Sequence, residues 1–342
     1  MKILITGGCG FVGSNIAIFL KKKLKQPVIF SVDNLFRKGS ELNQARLKSY
    51  GIQNYNIDIT NQKKINNLKR FDLIIDCCAE PAIEASTNDP NRVFNTNLIG
   101  TFNILKKCVK DKSKIIFLSS SRVYSINNLK KLIGNNNLSK KIQIKYRINE
   151  NFSTASASSL YGFTKLSSEK LIKEFSFSDN IKYIINRFGV IAGPWQFGKQ
   201  DQGFISLWLA RHLFKKKLTY IGFGGYGNQI RDILHIDDVC NIVYIQIKNF
   251  KKKYNQTFNI GGGIKNSISL KELTDKCANL TGNKLKIERN KKTSKFDIPY
   301  YVSDNTKVKK FYNWIPEKRI DNILFDVYKW MTKNNKIRKF FK

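Results

Sequence analysis

The chain has 342 residues, and 42% of them are hydrophobic, which is enough for a packed core and excludes a disordered chain. No apolar run is long enough to span a bilayer, so a membrane protein of the helical class is also excluded. The formal net charge is +36, but the lysines are scattered among asparagines, which indicates a basic, solvated surface that favours anionic ligands.

The first two thirds of the chain alternate short apolar runs with helical patterns, which is typical of a parallel sheet covered on both faces. The apolar runs predict buried strands at Ile3–Ile5, Val28–Phe30, Leu73–Ile75, Ile115–Leu118 and Tyr183–Asn186. Helical patterns cover Ser14–Lys25, Gln62–Leu68 and Arg92–Lys110, and a long helix begins near Ser159. These elements predict an α/β fold with a doubly wound parallel sheet of the Rossmann type.

Beyond Gly193 the pattern changes to longer loops with aromatic clusters, followed by a strand at Phe258–Ile260 and a helix at Ser269–Leu280. We predict a Rossmann domain at 1–186, to which 232–262 return. A smaller, interleaved α/β domain at 187–231 and 263–342 is assigned to substrate binding. The polar stretch Ser125–Phe152 lacks clear periodicity, so we expect a surface excursion near the site.

The cysteines and histidines argue against disulfide and metal chemistry. The six cysteines contain no CxxC pair, and in a chain of this size they indicate reduced, mostly buried thiols. Only His212 and His235 are present, so no metal site is predicted. The apolar N-terminus is cut short at Thr6 and does not have the pattern of a signal peptide, so we expect a cytoplasmic protein.

A glycine-rich loop follows the first predicted strand and opens the first helix, with the spacing Gly-x-x-Gly-x-x-Gly. Gly7 permits the tight turn, Gly10 lets the backbone approach a pyrophosphate, and Gly13 allows close packing of helix and strand. Amides at the helix start, such as those of Phe11 and Val12, would bind the phosphates. Glycines also make ordinary turns, so the loop alone is a weak indication.

An acidic residue at the end of the second strand strengthens the prediction of dinucleotide binding. Asp33, with Asn34, lies about 20 residues past the loop, where an acid binds the adenosine ribose hydroxyls. An aspartate there disfavours a ribose 2′-phosphate, so NAD is predicted rather than NADP. Arg37 and Lys38 follow closely and could accommodate such a phosphate.

Tyr161 and Lys165 lie four residues apart at the start of the long helix, so both side chains share one face. A tyrosine is a poor base at neutral pH, and a neighbouring ammonium would favour its phenolate. Ser119–Ser121 follow a strand at the carboxyl edge of the sheet, where ligands bind. The tyrosine–lysine pair and the triple serine each often have only a structural role. Their occurrence together, in a chain that begins with a phosphate-binding loop, favours a catalytic role.

These motifs resemble the extended short-chain dehydrogenase/reductase family of sugar-nucleotide enzymes, and the resemblance covers nearly the whole chain. Further matching segments are Asn97–Thr101, Gly193-Pro194, Arg231–Asp238, Asn259–Gly262, and Asp304 with Trp314–Pro316. Within the family, the segments 33–39, 196–203 and 227–235 most resemble the branch of the CDP-paratose 2-epimerases, also called CDP-tyvelose epimerases. The resemblance implies an NAD-dependent nucleotide-sugar epimerase that oxidises and re-reduces one sugar carbon.

The resemblance also implies roles for individual residues and a homodimer built through Arg92–Lys110 and the helix of Tyr161. The implied catalytic residues are Ser120, Tyr161 and Lys165. The implied NAD contacts are Gly7, Gly10, Phe11, Val12, Gly13, Asp33, Asn34, Asp58, Ile59, Ala79, Asn97, Tyr161 and Lys165. Asp58 and Ile59 would flank the adenine. Ser121, Gln196 and Arg231 would bind the substrate, with Arg231 holding the diphosphate.

Several positions depart from the family pattern. Dehydratases of the family carry two acids directly after the catalytic serine or threonine, whereas this chain has Ser121 and Arg122, which disfavours dehydration. Val190 and Ala192 replace residues common in 4-epimerases, and Pro299 replaces a frequent nucleotide-anchoring arginine. A 4-epimerase remains an open alternative, as does a non-catalytic NAD-binding protein that associates with nucleic acid.

Overall fold

The computed structural model describes residues 1–81, 85–133, 145–156, 158–198 and 203–341. The chain divides into two compact units. The first comprises Met1–Val123, Ser159–Arg187 and Val239–Phe258, and the second comprises Tyr124–Ser158, Phe188–Asp238 and Asn259–Lys342. The predicted boundaries differ from these units in two places. Residues 124–158 belong to the second unit instead of the first, and the segment that returns to the first unit is 239–258 instead of 232–262.

The strands and helices alternate through most of the first unit. The strands are β1 (Lys2–Thr6), β2 (Val28–Val32), β3 (Gln53–Tyr55), β4 (Leu73–Asp76), β5 (Lys114–Ser120), β6 (Tyr183–Phe188), β7 (Val190–Ala192), β8 (Leu218–Ile221), β9 (Ile230–His235), β10 (Gln256–Ile260), β11 (Ser267–Ser269), β12 (Ile287–Asn290) and β13 (Tyr300–Tyr301). The helices are α1 (Phe11–Lys23), α2 (Ser40–Ser49), α3 (Gln62–Asn66), α4 (Ala85–Asn88), α5 (Pro90–Phe94), α6 (Gly100–Asp111), α7 (Ile126–Lys131), α8 (Leu160–Asp179), α9 (Phe204–Leu213), α10 (Ile236–Asn249), α11 (Leu270–Thr281), α12 (Thr306–Tyr312) and α13 (Ile320–Lys333).

The central sheet has seven strands in the order β10-β6-β5-β4-β1-β2-β3. The pairs β1–β2, β1–β4, β2–β3 and β4–β5 are parallel. The chain order reverses between β1 and β4, which is where ligands bind in doubly wound sheets. The predicted α/β fold is therefore confirmed. β1 and β4 extend past the predicted apolar runs to Thr6 and Asp76, which are polar but fully buried.

Apolar residues of the sheet and of α6 and α8 form the core of the first unit, including Leu4, Ile74, Phe117, Ile104 and Ile172. The predicted helical pattern over Arg92–Lys110 is confirmed, with α5, a π-helical turn at Asn95–Ile99 and α6 following one another without a break. The wider turn accompanies the buried amide of Asn97, which binds backbone outside the helix.

The second unit has its own apolar core, which contains Trp208, Ile233, Leu273 and Trp330. Its sheets are β11-β9-β13, with β7 also paired to β9, and the two-stranded β12-β8.

The expected surface excursion at Ser125–Phe152 is wrong for its described part. α7 buries Ile126 and Leu129, and Ile148, itself buried, forms a β-bridge with Ser303. Ile126 and Leu129 lie three residues apart, a helical spacing that is short and surrounded by asparagines and lysines. Residues 134–144 of this stretch lie outside the described residues. Within the described part of the chain, no helix is long and apolar enough to cross a membrane.

Candidate active site

The glycine-rich loop joins β1 to α1 in the first unit. Gly7 has φ +59°, the left-handed region that favours glycine, and a Cβ there would lie 2.8 Å from the Cα of Cys78. A Cβ on Gly13 would lie 2.3 Å from the carbonyl oxygen of Gly7. Among the described residues, no side chain caps α1 at Gly10 and no acid lies in its first turn. The helix start therefore presents backbone amides and the positive end of its dipole to an anion.

The carboxylate of Asp33 lies beside this loop. Its Oδ2 accepts a hydrogen bond from the Cys9 N–H at 3.1 Å, and its Oδ1 accepts from the Leu35 N–H at 2.8 Å. Burial raises the pKa of Asp33, and these amides and the charge of Arg37 oppose the rise. Arg37 donates to Glu80 at 2.5 Å, so its guanidinium is held by a carboxylate. The loop and the acid fit a dinucleotide whose ribose has no 2′-phosphate.

Asn34 and Asp58 are also brought together at this edge. Asn34 Nδ2 donates to Asp58 Oδ2 at 2.7 Å, and Thr60 donates to Asp58 Oδ1 from its N–H at 2.9 Å and its hydroxyl at 2.7 Å. Burial raises the pKa of Asp58, but these hydrogen bonds outweigh it and leave the pKa below its ordinary value. The side chain of Ile59 is buried in the core against Gly100.

Asn97 holds the segment that follows β4. Its Oδ1 accepts from the Glu80 N–H at 2.7 Å, and its Nδ2 lies 3.2 Å from the Glu80 carbonyl oxygen and from Thr164 Oγ1. Ala79, which is half-buried, is the residue next to this anchor. Asn97 thus fixes the backbone at Ala79 and connects it to the helix that carries Tyr161.

Ser120 ends β5, and Tyr161 lies in the first turn of α8, where Ser159 caps the helix by accepting from the Gly162 N–H at 3.1 Å. A hydrogen bond joins the Ser120 and Tyr161 side chains. Ser120 Oγ also accepts from the Arg122 N–H at 3.1 Å. The proton of the Ser120 hydroxyl therefore points away from this N–H. Burial raises the pKa of Tyr161, and the Ser120 hydrogen bond and nearby positive charges, including that of Arg122, oppose the rise.

Lys165 lies one helical turn after Tyr161 and is 1% exposed. Its Nζ lies 3.9 Å from the centroid of the Phe117 ring, a cation–π contact. Burial lowers the pKa of Lys165, and the carboxylates of Asp76 and Glu169 oppose the fall. Ser120 and Tyr161 are therefore joined side chain to side chain, and Lys165 lies one turn further along α8, over the Phe117 ring.

A buried ion pair next to this group was not found from the sequence. Glu169, one turn after Lys165, accepts from Arg187 Nε at 3.0 and 3.1 Å and from its NH2 at 2.7 Å. Ser119 Oγ donates to Glu169 Oε1 at 2.5 Å. The spacing of Lys165 and Glu169 on one helical face is the signal that could have indicated this role.

The predicted substrate residues are divided between the units. Ser121 is half-buried in the first unit and begins a short 3₁₀ turn. In the second unit, the Gln196 amide donates to the Ile191 carbonyl at 2.9 Å and accepts from Ser206 at 2.7 Å. Arg231, also there, donates to the Ile298 carbonyl at 2.6 Å and pairs with Asp297 at 3.2 Å. Gln196 and Arg231 thus hold neighbouring loops of their own unit.

Comparison with known proteins gives relatives of full length. The family model described as NAD dependent epimerase/dehydratase matches residues 3–261. The CDP-paratose 2-epimerase of Salmonella typhi is 28% identical, with 96% of this chain and 99% of that protein covered. The UDP-glucuronate 4-epimerase of Thermodesulfobacterium geofontis is also 28% identical, with 99% and 98% covered. The crystal structure of UDP-glucose 4-epimerase with UDP-glucose from Thermotoga maritima has a TM-score of 0.83 at 24% identity, covering 98% of this chain and all of that one.

Proposed function

The chain belongs to the NAD dependent epimerase/dehydratase family, and on this premise we propose that it inverts one carbon of a nucleotide sugar by oxidation followed by re-reduction. The group of Ser120 with the buried Tyr161 and Lys165, in the same unit as the glycine-rich loop, carries this proposal. Bound NAD supplies reversible hydride transfer at the sugar carbon. The loop at Gly7–Gly13 and the Asp33 carboxylate would hold it.

The protein's own groups handle the proton. Tyr161, as the phenolate, takes the proton from the sugar hydroxyl during oxidation and returns it during reduction. The Ser120 hydroxyl, whose oxygen accepts from the Arg122 N–H, has its proton available to donate to the reacting oxygen when the sugar is bound. The Lys165 ammonium favours the phenolate over the phenol. No net redox change results.

Two positions favour epimerisation over dehydration. Removal of a hydroxide needs an acid that protonates the leaving group. The residues after Ser120 are Ser121 and Arg122, and neither side chain is an acid.

We propose a CDP-deoxyhexose as substrate and C2 as the inverted carbon, with Arg231 holding the diphosphate. The similarity to a CDP-paratose 2-epimerase over nearly the full length of both chains supports this choice, as do Val190 and Ala192. A nucleotide-sugar 4-epimerase is the second candidate, because a UDP-glucuronate 4-epimerase is equally identical at 28%.

The substrate is tested by incubating the purified protein, without added cofactor, with CDP-paratose, UDP-glucose and UDP-glucuronate in separate reactions followed by NMR. Inversion at C2 of CDP-paratose alone is expected. Inversion at C4 of a UDP-sugar alone would replace the C2 assignment with the second candidate. Failure to invert any of the three would contradict both.

We also propose a homodimer formed through the helices α5 and α8 and the π-helical turn between α5 and α6. Four large apolar side chains on these elements are exposed: Phe94 by 37%, Ile99 by 38%, Phe163 by 52% and Phe177 by 89%. Apolar side chains exposed together indicate an interface. Light scattering should give twice the mass of one chain, and Phe163→Asp should halve it. A monomeric wild-type protein would contradict the proposal.

A further inference from the structure

The end of β4 places a buried carboxylate close to the Tyr161–Lys165 pair. Asp76 is the last residue of β4 and is fully buried. Its register neighbours are Thr6 in β1 and Phe117 in β5. Register neighbours in a sheet project to the same face. Asp76 therefore shares a face with the Phe117 ring, over which the Lys165 ammonium lies at 3.9 Å.

The hydrogen-bond donors to Asp76 are all neutral groups. Thr6 Oγ1 donates to its Oδ1 at 2.5 Å, and Thr101 Oγ1 lies 3.2 Å from its Oδ2. The Cys78 N–H donates to Oδ1 at 3.4 Å. Among the described residues, no basic side chain forms a contact ion pair with Asp76. Asp76 is thus held by neutral donors in the interior, where a carboxylate acts strongly on the groups around it.

Few other groups can balance the Lys165 ammonium. Four groups raise its affinity for a proton: Asp76, Cys78, Glu169 and Cys77. Burial raises the pKa of both thiols well above the ordinary value, so both are neutral at neutral pH. The charge of Glu169 is already balanced by Arg187, which donates to it from Nε and from one terminal nitrogen. Of the four groups, Asp76 is the remaining carboxyl group, and it has no basic partner of its own among the described ion pairs.

We propose that Asp76 is the counter-ion of Lys165, a positioning residue that keeps the ammonium charged beside Tyr161. A buried ammonium without a nearby anion releases its proton, and a nearby carboxylate prevents this. The catalytic consequence rests on the proposed function, because a charged Lys165 favours the Tyr161 phenolate. Arg122 and Arg37 also oppose the rise in the pKa of Tyr161, and a substitution at Asp76 leaves both of these charges in place.

The test uses Asp76→Asn in the full chain as purified, because asparagine removes the charge of this side chain and keeps its shape. The Lys165 Nζ signal is followed by ¹⁵N NMR as the pH is raised, and is assigned by its loss in Lys165→Met. We expect Lys165 to lose its proton at a pH lower by about one unit or more. The rising limb of kcat/KM against pH should then move to higher pH, with activity at neutral pH reduced about tenfold per unit. The NAD content should stay unchanged.

The matched control is Asp72→Asn, because Asp72 lies just before the other end of β4 and is exposed, accepting from the Lys2 N–H at 2.7 Å. It should leave the Lys165 titration unchanged. Asp76→Glu, which keeps the charge, should retain most of the wild-type behaviour.

If Asp76→Asn does not fold, Asp76→Ser, which is smaller and neutral, takes its place in the same titration. An unchanged Lys165 titration in the folded neutral variant would overturn the proposal. A shifted titration in a protein that turns over no nucleotide sugar would uphold the counter-ion and reject the proposed function, so the two failures are distinguishable.

Discussion

Removing the Glu169 carboxylate should destabilise the protein strongly. Glu169 is 1% exposed and Arg187 is 6% exposed, so Glu169→Ala leaves a guanidinium buried without its counter-charge. The substitution removes the contacts at 2.7, 3.0 and 3.1 Å to Arg187 and the one at 2.5 Å to Ser119. Breaking a buried pair in this way costs about 3–5 kcal/mol in the free energy of unfolding.

Urea unfolding of the variant and the wild type measures this difference directly. Glu174→Ala is the matched control, because Glu174 is exposed on the same helix. It should change the free energy of unfolding by less than about 0.5 kcal/mol.

A double substitution separates lost pairing from lost packing. Glu169→Ala with Arg187→Met removes both charges, so it should recover a large part of the stability lost in Glu169→Ala alone. A loss below about 1 kcal/mol in the single variant would refute the reasoning, since it would show that the buried guanidinium needs no partner.

Three further predictions concern the base and the loop. Tyr161 must be ionised to act as a base, so activity rises with pH through its pKa. Ser120→Ala removes a hydrogen bond that lowers this pKa and should move the rising limb of kcat/KM to higher pH. Arg122→Gln removes the positive charge and should also move the rising limb to higher pH, whereas Arg122→Lys keeps the charge and should not move it. If the pH profiles of all three variants coincide with that of the wild type, neither Ser120 nor Arg122 lowers the pKa of Tyr161. Gly13→Ala places a methyl group 2.3 Å from the Gly7 carbonyl oxygen, so the purified protein should contain little NAD, as measured by absorbance after denaturation; full NAD content would be inconsistent with the proposed loop.

Local patterns were sufficient to predict much of the fold. The apolar run Val28–Phe30 lies within β2, and Ser159 is the N-cap of α8 as the helix start there suggests. Such features depend on neighbouring residues, so a single sequence contains them. The same holds for Tyr161 and Lys165, whose spacing alone puts them on one face.

The rest depends on contacts between distant residues. Thr6 and Asp76 lie 70 positions apart, and Ser119 and Glu169 lie 50 apart, so no local pattern pairs them. A glutamate on a helix is usually at the surface, and only the tertiary structure shows that Glu169 is buried. The roles of Gln196 and other substrate residues likewise depend on partners that the sequence does not reveal.

Tyr161→Phe tests the central claim most directly, because it removes one hydroxyl and keeps the ring. Epimer formation from the nucleotide sugar that the wild type inverts is measured by NMR, and NAD content is measured in the same preparations. The account predicts that the variant retains NAD and loses turnover. Near-normal epimerisation by the variant would contradict the assignment of Tyr161 as the base.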